Sequence, residues 1–274
     1  FQLGLDLRGG SQLTLQIEKS EKAVTKDELE SVKAVLDKRV NNLGVSESNL
    51  QTLGSNQLIL ELPGERNALS ASKVLGKTAL LEFRIQKPGT SDQLKKLQFL
   101  RGKINNLLFQ YDNLPKKKSD IDLIDKLQAN LDDINKSLNY ISNESDLYQS
   151  IIFTKKYINT EIANLFLTSD LTGKDLINAG RRQEQVSSNW EVLLTFDSKG
   201  GDKFANLTKK IAGKDQLLAI ILDGESISEA SVGIQFAKSG ITGGSATISG
   251  NFDSLTAREL EVQLKGGALP FPIK

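Results

Sequence analysis

The 274-residue sequence contains no cysteine, no histidine and no methionine, and a single tryptophan within an aromatic content of 6%. Without cysteine there is no disulfide, no thiolate nucleophile and no cysteine metal site. Without histidine the commonest general base near neutral pH is missing, and so is the commonest metal ligand. Ser-His-Asp and Cys-His catalysis are therefore excluded, and zinc would have to be held by carboxylates alone, an unusual arrangement. Lys+Arg 35 against Asp+Glu 34 leaves a formal charge of +1, so nothing global draws the chain to nucleic acid or an anionic membrane. No apolar run approaches the roughly 20 residues that span a bilayer. The run "LLAIIL" at 217–222 suits a buried strand instead. A start at Phe1 reads as a processed chain or a piece of a longer one, and no signal-peptide pattern opens it.

What is present begins with "LGLDLRGGSQLTLQIE" at 3–18. A phosphate-cradling loop would place a helix after the glycines. Here Leu13, Leu15 and Ile17 alternate with Thr14, Gln16 and Glu18, which is a half-buried strand. Gly9 and Gly10 therefore read as a bulge or a close backbone approach at the strand's start. Asp6 and Arg8 share one face of the extended segment and read as a structural ion pair.

Thr25 and Glu28 form a capping box ahead of a helix whose stripe is Leu29, Val32, Leu36, Val40 and Leu43, ended by Gly44. Two strands follow around 54–56, then a short helix from Ala68 to Leu75, then the strand "ALLEFRIQKPG". The order β-α-β-β-α-β predicts a ferredoxin-like unit completed by residue 87. From Thr90 glycine and valine nearly vanish. Leu94, Leu97, Leu100, Ile104, Leu107 and Leu108 form a helical stripe, and Ile124, Leu127, Leu131, Ile134, Leu138 and Ile141 step as a heptad seam. A third helix opens at Ser145, so this stretch predicts a helical hairpin or small bundle that buries its own seam. Lys116, Lys117 and Lys118 fall at its tip as a solvated loop. After Leu167 the pattern is α+β again: a short helix within "SDLTGKDLINAGRRQ", a strand at 189–197, a helix from about Gly200 to Gly213, a hairpin turning at Asp223-Gly224, an alternating strand through Ile248, and a last helix with Leu255, Leu260 and Leu264 inward.

The opening stretch, "TGKDL", "LTFDSKGGDKFANLTKK", "LAIILDGE", "ITGGSATISG" and "LKGGALPFPI" resemble, in this order, motifs of the SecD family, accessory subunits of the bacterial Sec protein-export channel. The resemblance covers 1–90 and about 168–274 and leaves the helical stretch between without a family motif. It implies an α+β fold with a ferredoxin-like base (1–90 plus 254–274), an inserted α+β head (168–253) and an α-helical hairpin or bundle insertion (91–167). It implies the large loop between the first two transmembrane helices, lying outside the cytoplasmic membrane in a periplasm or thylakoid lumen and anchored by flanking helices. The implied partners are SecF, the channel and the emerging unfolded polypeptide. Proton-carrying charges lie in the family's membrane helices, so no enzyme activity, cofactor, metal or nucleic acid is expected of this chain.

Under that resemblance Asp6, Arg8, Gly9 and Gly10 become the membrane-proximal motif that sets the chain's entry angle. Gly89 and Gly250 become candidate hinges between base and head. Trp190, Phe236 and Ile241 are apolar candidates for polypeptide contact. A competing class is a structural adaptor whose helical insertion docks a partner and which has no affinity for unfolded chains. A glycosidase-like enzyme is disfavoured, because no stretch sets two acids among aromatics.

Overall fold

The structure, a computed structural model, describes residues 9–19, 23–45, 48–64, 68–114, 121–142, 144, 146–185 and 188–274. It is mixed α+β with three antiparallel sheets. Asp6, Arg8, the lysine run 116–118 and Ser145 lie outside the described residues.

The first sheet contains β1 (Gly10–Gln16), β2 (Asn49–Leu53) and β3 (Gln57–Pro63) in the order β1-β3-β2, with α1 (Lys26–Leu43) crossing between β1 and β2. Both ends of α1 form as the sequence predicts. Thr25 and Glu28 close the capping box, and Gly44 caps the other end at φ 79°. Leu15, Leu58, Leu60 and Leu62 turn inward against Val32, Leu36 and Val40. Gly9 and Gly10 sit at φ 67° and 153°, and among the described residues no atom crowds the space a Gly9 Cβ would take. Both glycines thus hold backbone conformations at the strand's entry that other residues rarely adopt.

A second helix, α2 (Ala68–Gly76), leads to β4 (Leu81–Gln86). The sequence order predicts that β4 completes the first sheet; the structure corrects this. β4 pairs instead with β5 (Phe166–Thr172) on one side and β8 (Leu217–Leu222) on the other. The edge of β1 that β4 would have taken is occupied by the end of the chain. Gln16 and Lys274 exchange both main-chain hydrogen bonds at 2.7 and 3.0 Å, and Ile17 bridges Ile273 in antiparallel sense. Residue alternation marks β4 as a strand but does not name its partner.

The central sheet runs β5-β4-β8-β9, with β9 at Glu225–Ser231. It is covered on both faces, which is why β8 reads as an unbroken apolar run. On one face Phe83, Leu218 and Ile220 meet α6 (Ser198–Ile211) and a third sheet. That sheet has the order β10-β7-β6, from Ser245–Phe252, Trp190–Phe196 and Leu176–Gln183. The predicted short helix at 169–183 is instead the end of β5, a single 3-10 turn (Gly173–Asp175) and β6. Its capping signal is real, because Asp175 accepts from the Thr172 backbone at 2.9 Å, but the helix stops after that turn.

On the other face Ala219, Ile221 and Phe166 pack against three helices: α3 (Ser91–Asp112), α4 (Ile121–Leu138) and α5 (Leu147–Asn164). The three helices bury their stripes against one another and also share that core with the sheet. Leu127, Leu131 and Ile134 of the seam are buried while Ile141 is exposed. The last helix, α7 (Ser254–Gly266), buries Ala257, Leu260 and Leu264 against the core beneath the third sheet, whereas Leu255 is exposed. Beyond it Leu269 and Ile273 join the core of the first sheet.

Candidate functional site

Two sheet edges, β9 and β10, flank an apolar groove of about 280 Å³. Its floor is Leu193, Phe204, Leu218 and Ile220, contributed by β7, α6 and β8. Its rims carry small residues: Ser228, Ala230 and Ser231 on β9, and Ser245, Ala246 and Thr247 on β10. Ile241 and Val232 close one end. The loop that holds Ile241 is pinned to α6, where the Thr208 hydroxyl accepts from the Ile241 backbone at 2.8 Å and Gly240 rests against the Ala205 backbone so tightly that no Cβ would fit. Gly201 likewise lets the start of α6 approach Gly244, and Gly200 lets it approach Asp175. Gly200 and Gly201 of "SKGG" thus let the start of α6 pack closely against the 3-10 turn and against Gly244.

Along the same two edges lies a polar cleft of about 400 Å³, walled on its far side by α3 and α5. Arg101 of α3 grips Glu229 of β9 with two hydrogen bonds at 2.8 and 2.5 Å, and the Ser226 hydroxyl adds a third. The Glu229 side chain is 3% exposed. Burial alone would push its carboxyl up; the Arg101 guanidinium and Ser226 overcome this and hold it below the usual carboxylate range. Lys155 of α5 faces the same cleft, and burial lowers its ammonium from the ordinary lysine value.

A third constellation joins the sheets. Arg39, in the middle of α1, is fully buried. Its guanidinium donates to the carbonyls of Leu75 at 2.7 Å and Lys77 at 2.5 Å, and to that of Gly267 at 2.9 Å. Desolvation lowers its pKa to about 10, and the Asp223 carboxylate works against that fall. Asp223, at the turn between β8 and β9, accepts from the Thr78 hydroxyl and from the backbone N–H groups of Ala79 and Leu80 at 3.1 and 2.8 Å. Both covalent passages between the first sheet and the rest, 77–80 and 267–270, are therefore held by one arginine and one aspartate.

The predicted site residues are dispersed. Gly89, at φ 78°, turns the chain from β4 into α3, and Gly250 lies within the register shift of β10 against β7. Neither stands on 77–80 or 267–270, the two passages out of the first sheet. Trp190 is half-buried on the core with the Arg181 guanidinium 5.2 Å over its ring. Phe236 is half-buried on the same core, and of the three apolar candidates Ile241 lines the groove. Arg39 has a signal in the sequence: it stands three residues after Leu36 and four before Leu43, on the buried stripe. Arg101 and Glu229 are 128 positions apart and have none.

Models of three families match the chain: the SecD/SecF GG motif over residues 1–21, the N-terminal part of the SecDF P1 domain over 29–88, and the SecDF P1 head subdomain over 151–271. The chain belongs to the SecD/SecDF family. It corresponds to the family's P1 region. The SecD of Prochlorococcus marinus is 54% identical over the whole chain, which covers 56% of that protein, and the SecD of Synechocystis is 40% identical, with 53% covered. The chain thus spans about half the length of these relatives. The SecDF of Thermus thermophilus is 31% identical, with 30% of it covered. Among solved structures, SecDF in a super-membrane-facing form aligns over the whole chain and 30% of its own at TM-score 0.64 and 28% identity. A SecDF described as a membrane component that enhances protein export aligns over 96% of this chain and 97% of its own at TM-score 0.60 and 27% identity. The three models leave 89–150 uncovered, which holds all of α3 and α4 and the start of α5. Among the described residues no helix is long and apolar enough to cross a membrane, and no group of acidic residues is arranged to hold a metal.

Proposed function

We propose that this chain is the extracytoplasmic part of a SecD subunit that assists protein export, anchored by membrane helices outside the sequence and working beside SecF and the Sec channel. The relatives named above are protein translocase subunits, and that supports the reading. Energy from the proton-motive force would enter through those membrane helices. The part of the chain that meets the emerging polypeptide is the apolar groove between β9 and β10. The observation that carries this is its composition: core side chains form its floor, yet its rims are solvent-accessible and built of small residues. An unfolded chain offers the apolar side chains that such a groove desolvates.

The architecture that best fits the pairings is a ferredoxin-like base made of β1, α1, β2, β3 and α2, with the chain end as its fourth strand. The head, the helical insertion and α7 then lie between α2 and the chain end. A swing of the head would turn on 77–80 and 267–270 and would have to open the Arg39 and Asp223 contacts. Gly89 would instead let the helical insertion move relative to the central sheet.

The test is Ala230→Glu in the full-length subunit, with export of a secreted precursor measured in cells. Ala230 is exposed on the groove rim, so the substitution leaves the core intact. Export should fall, while Ile177→Glu at a 67% exposed position on β6 should leave it unchanged. Equal export by both variants would exclude the groove.

A further inference from the structure

We infer that the groove takes the polypeptide as an added β-strand, paired through its main chain to the free edge of β10; this rests on the polypeptide reading above. The two edges that flank the groove are not alike. β9 carries two devices that discourage strand addition: an inward-pointing charge at Glu229, locked by Arg101, and a register shift opposite Ile220 and Ile221. β10 pairs regularly with β7 from Ser245 to Ile248 and carries neither charge nor proline there. Its irregularity begins only after Ile248, at the end that opens into the polar cleft. Among the described residues no backbone group outside the β7 ladder bonds to residues 245–248. A regular, uncharged edge without a main-chain partner, beside an apolar floor, is what proteins avoid leaving open unless something docks on it.

The chemistry of the occupant follows. A row of alternating N–H and C=O groups is complemented by an extended peptide, and a strand laid there points every second side chain down onto Leu193, Phe204 and Ile220. Recognition through the main chain tolerates many sequences, and the floor asks only that alternate residues be apolar. The open edge is about four residues long before the irregularity at Ile248. It would hold a short stretch at a time and release it readily, as a device handling a moving chain requires.

The probe is a fluorescein-labelled seven-residue peptide with apolar residues at alternate positions, binding to this chain followed by anisotropy. Two N-methylated versions carry the methyl groups on one alternate set of amides or on the other. Strand addition to one edge uses only one set, because successive N–H groups point in opposite directions. One version should bind about tenfold weaker or worse than the parent, since two main-chain hydrogen bonds are lost. The other should bind within about twofold of the parent. On binding of the parent, amides within 245–252 should exchange more slowly with deuterium. If the parent binds and both methylated peptides bind equally well, side-chain burial alone holds the chain and strand addition is overturned, while the groove reading stands. If the parent and both variants fail to bind at millimolar concentration, the groove reading itself is overturned and this inference with it.

Discussion

Arg39 and Glu229 show how far single residues control this chain. Arg39 satisfies carbonyls at the end of α2, in the passage that follows it, and after α7. Arg39→Met removes those donors and leaves buried acceptors without partners, so stability should fall by roughly 3 kcal/mol or more, read from urea unfolding. Gly266→Ala should act in the same direction, because its methyl would strike the Arg39 side chain. A buried arginine inside an apolar stripe can be noticed in a sequence. What it binds cannot, because its acceptors are main-chain carbonyls that leave no mark on residue identity. Glu229 predicts a pH dependence. Its carboxyl is held below its ordinary value, so its contribution is present above the unfolded value of about 4.3 and is lost as pH falls through the lower folded value. Hydrogen exchange in α3 and β9 should therefore quicken below about pH 4.3, and Glu229→Gln should flatten that response. An unchanged profile in the variant would assign the acid sensitivity to other carboxylates.

At the scale of elements, the strands and helices with strong local signals were legible, and their partners were not. The capping box at Thr25, the glycine cap at 44 and the hairpin at Asp223-Gly224 all form where the sequence places them. The strand β4 was legible as a strand, yet it joins β5 and β8 because the end of the chain occupies its expected place. Removing 268–274 should thus free an edge of β1 and expose what Leu269 and Ile273 cover. The expected loss is roughly 3–5 kcal/mol, with β1–β3 unfolding first in a hydrogen-exchange experiment. A truncated chain as stable as the parent would show that the fourth strand position carries little. The helical stretch was legible as helices, but its heptad-like seam suggested self-sufficiency. Ala219, Ile221 and Phe166 share its core, so deleting 90–165 should expose one face of the central sheet and broaden thermal unfolding. A deletion variant with an undiminished, cooperative transition would contradict that packing.

At the scale of the molecule, two sheets packed across a shared core bring the edge strands β9 and β10 to one apolar groove, where we place function. The sequence motifs "SKGG" and "ITGGSATISG" were visible as signatures without a visible purpose. In the structure Gly200 and Gly201 let α6 approach the 3-10 turn and Gly244 just before β10. The groove was not legible as a site because its residues come from β7, α6, β8, β9 and β10, and most have the identity of ordinary core positions. The most direct measurement is site-specific photocrosslinking in cells from a full-length subunit, with an export precursor stalled part-way across the membrane. A photoreactive residue at position 231 or 247, on the two rims, should crosslink to the precursor, and one at 177 or 210, away from the groove, should not. Crosslinks from 177 and 210 as strong as those from 231 and 247, or none from any position while the precursor is demonstrably engaged with the channel, would contradict the account.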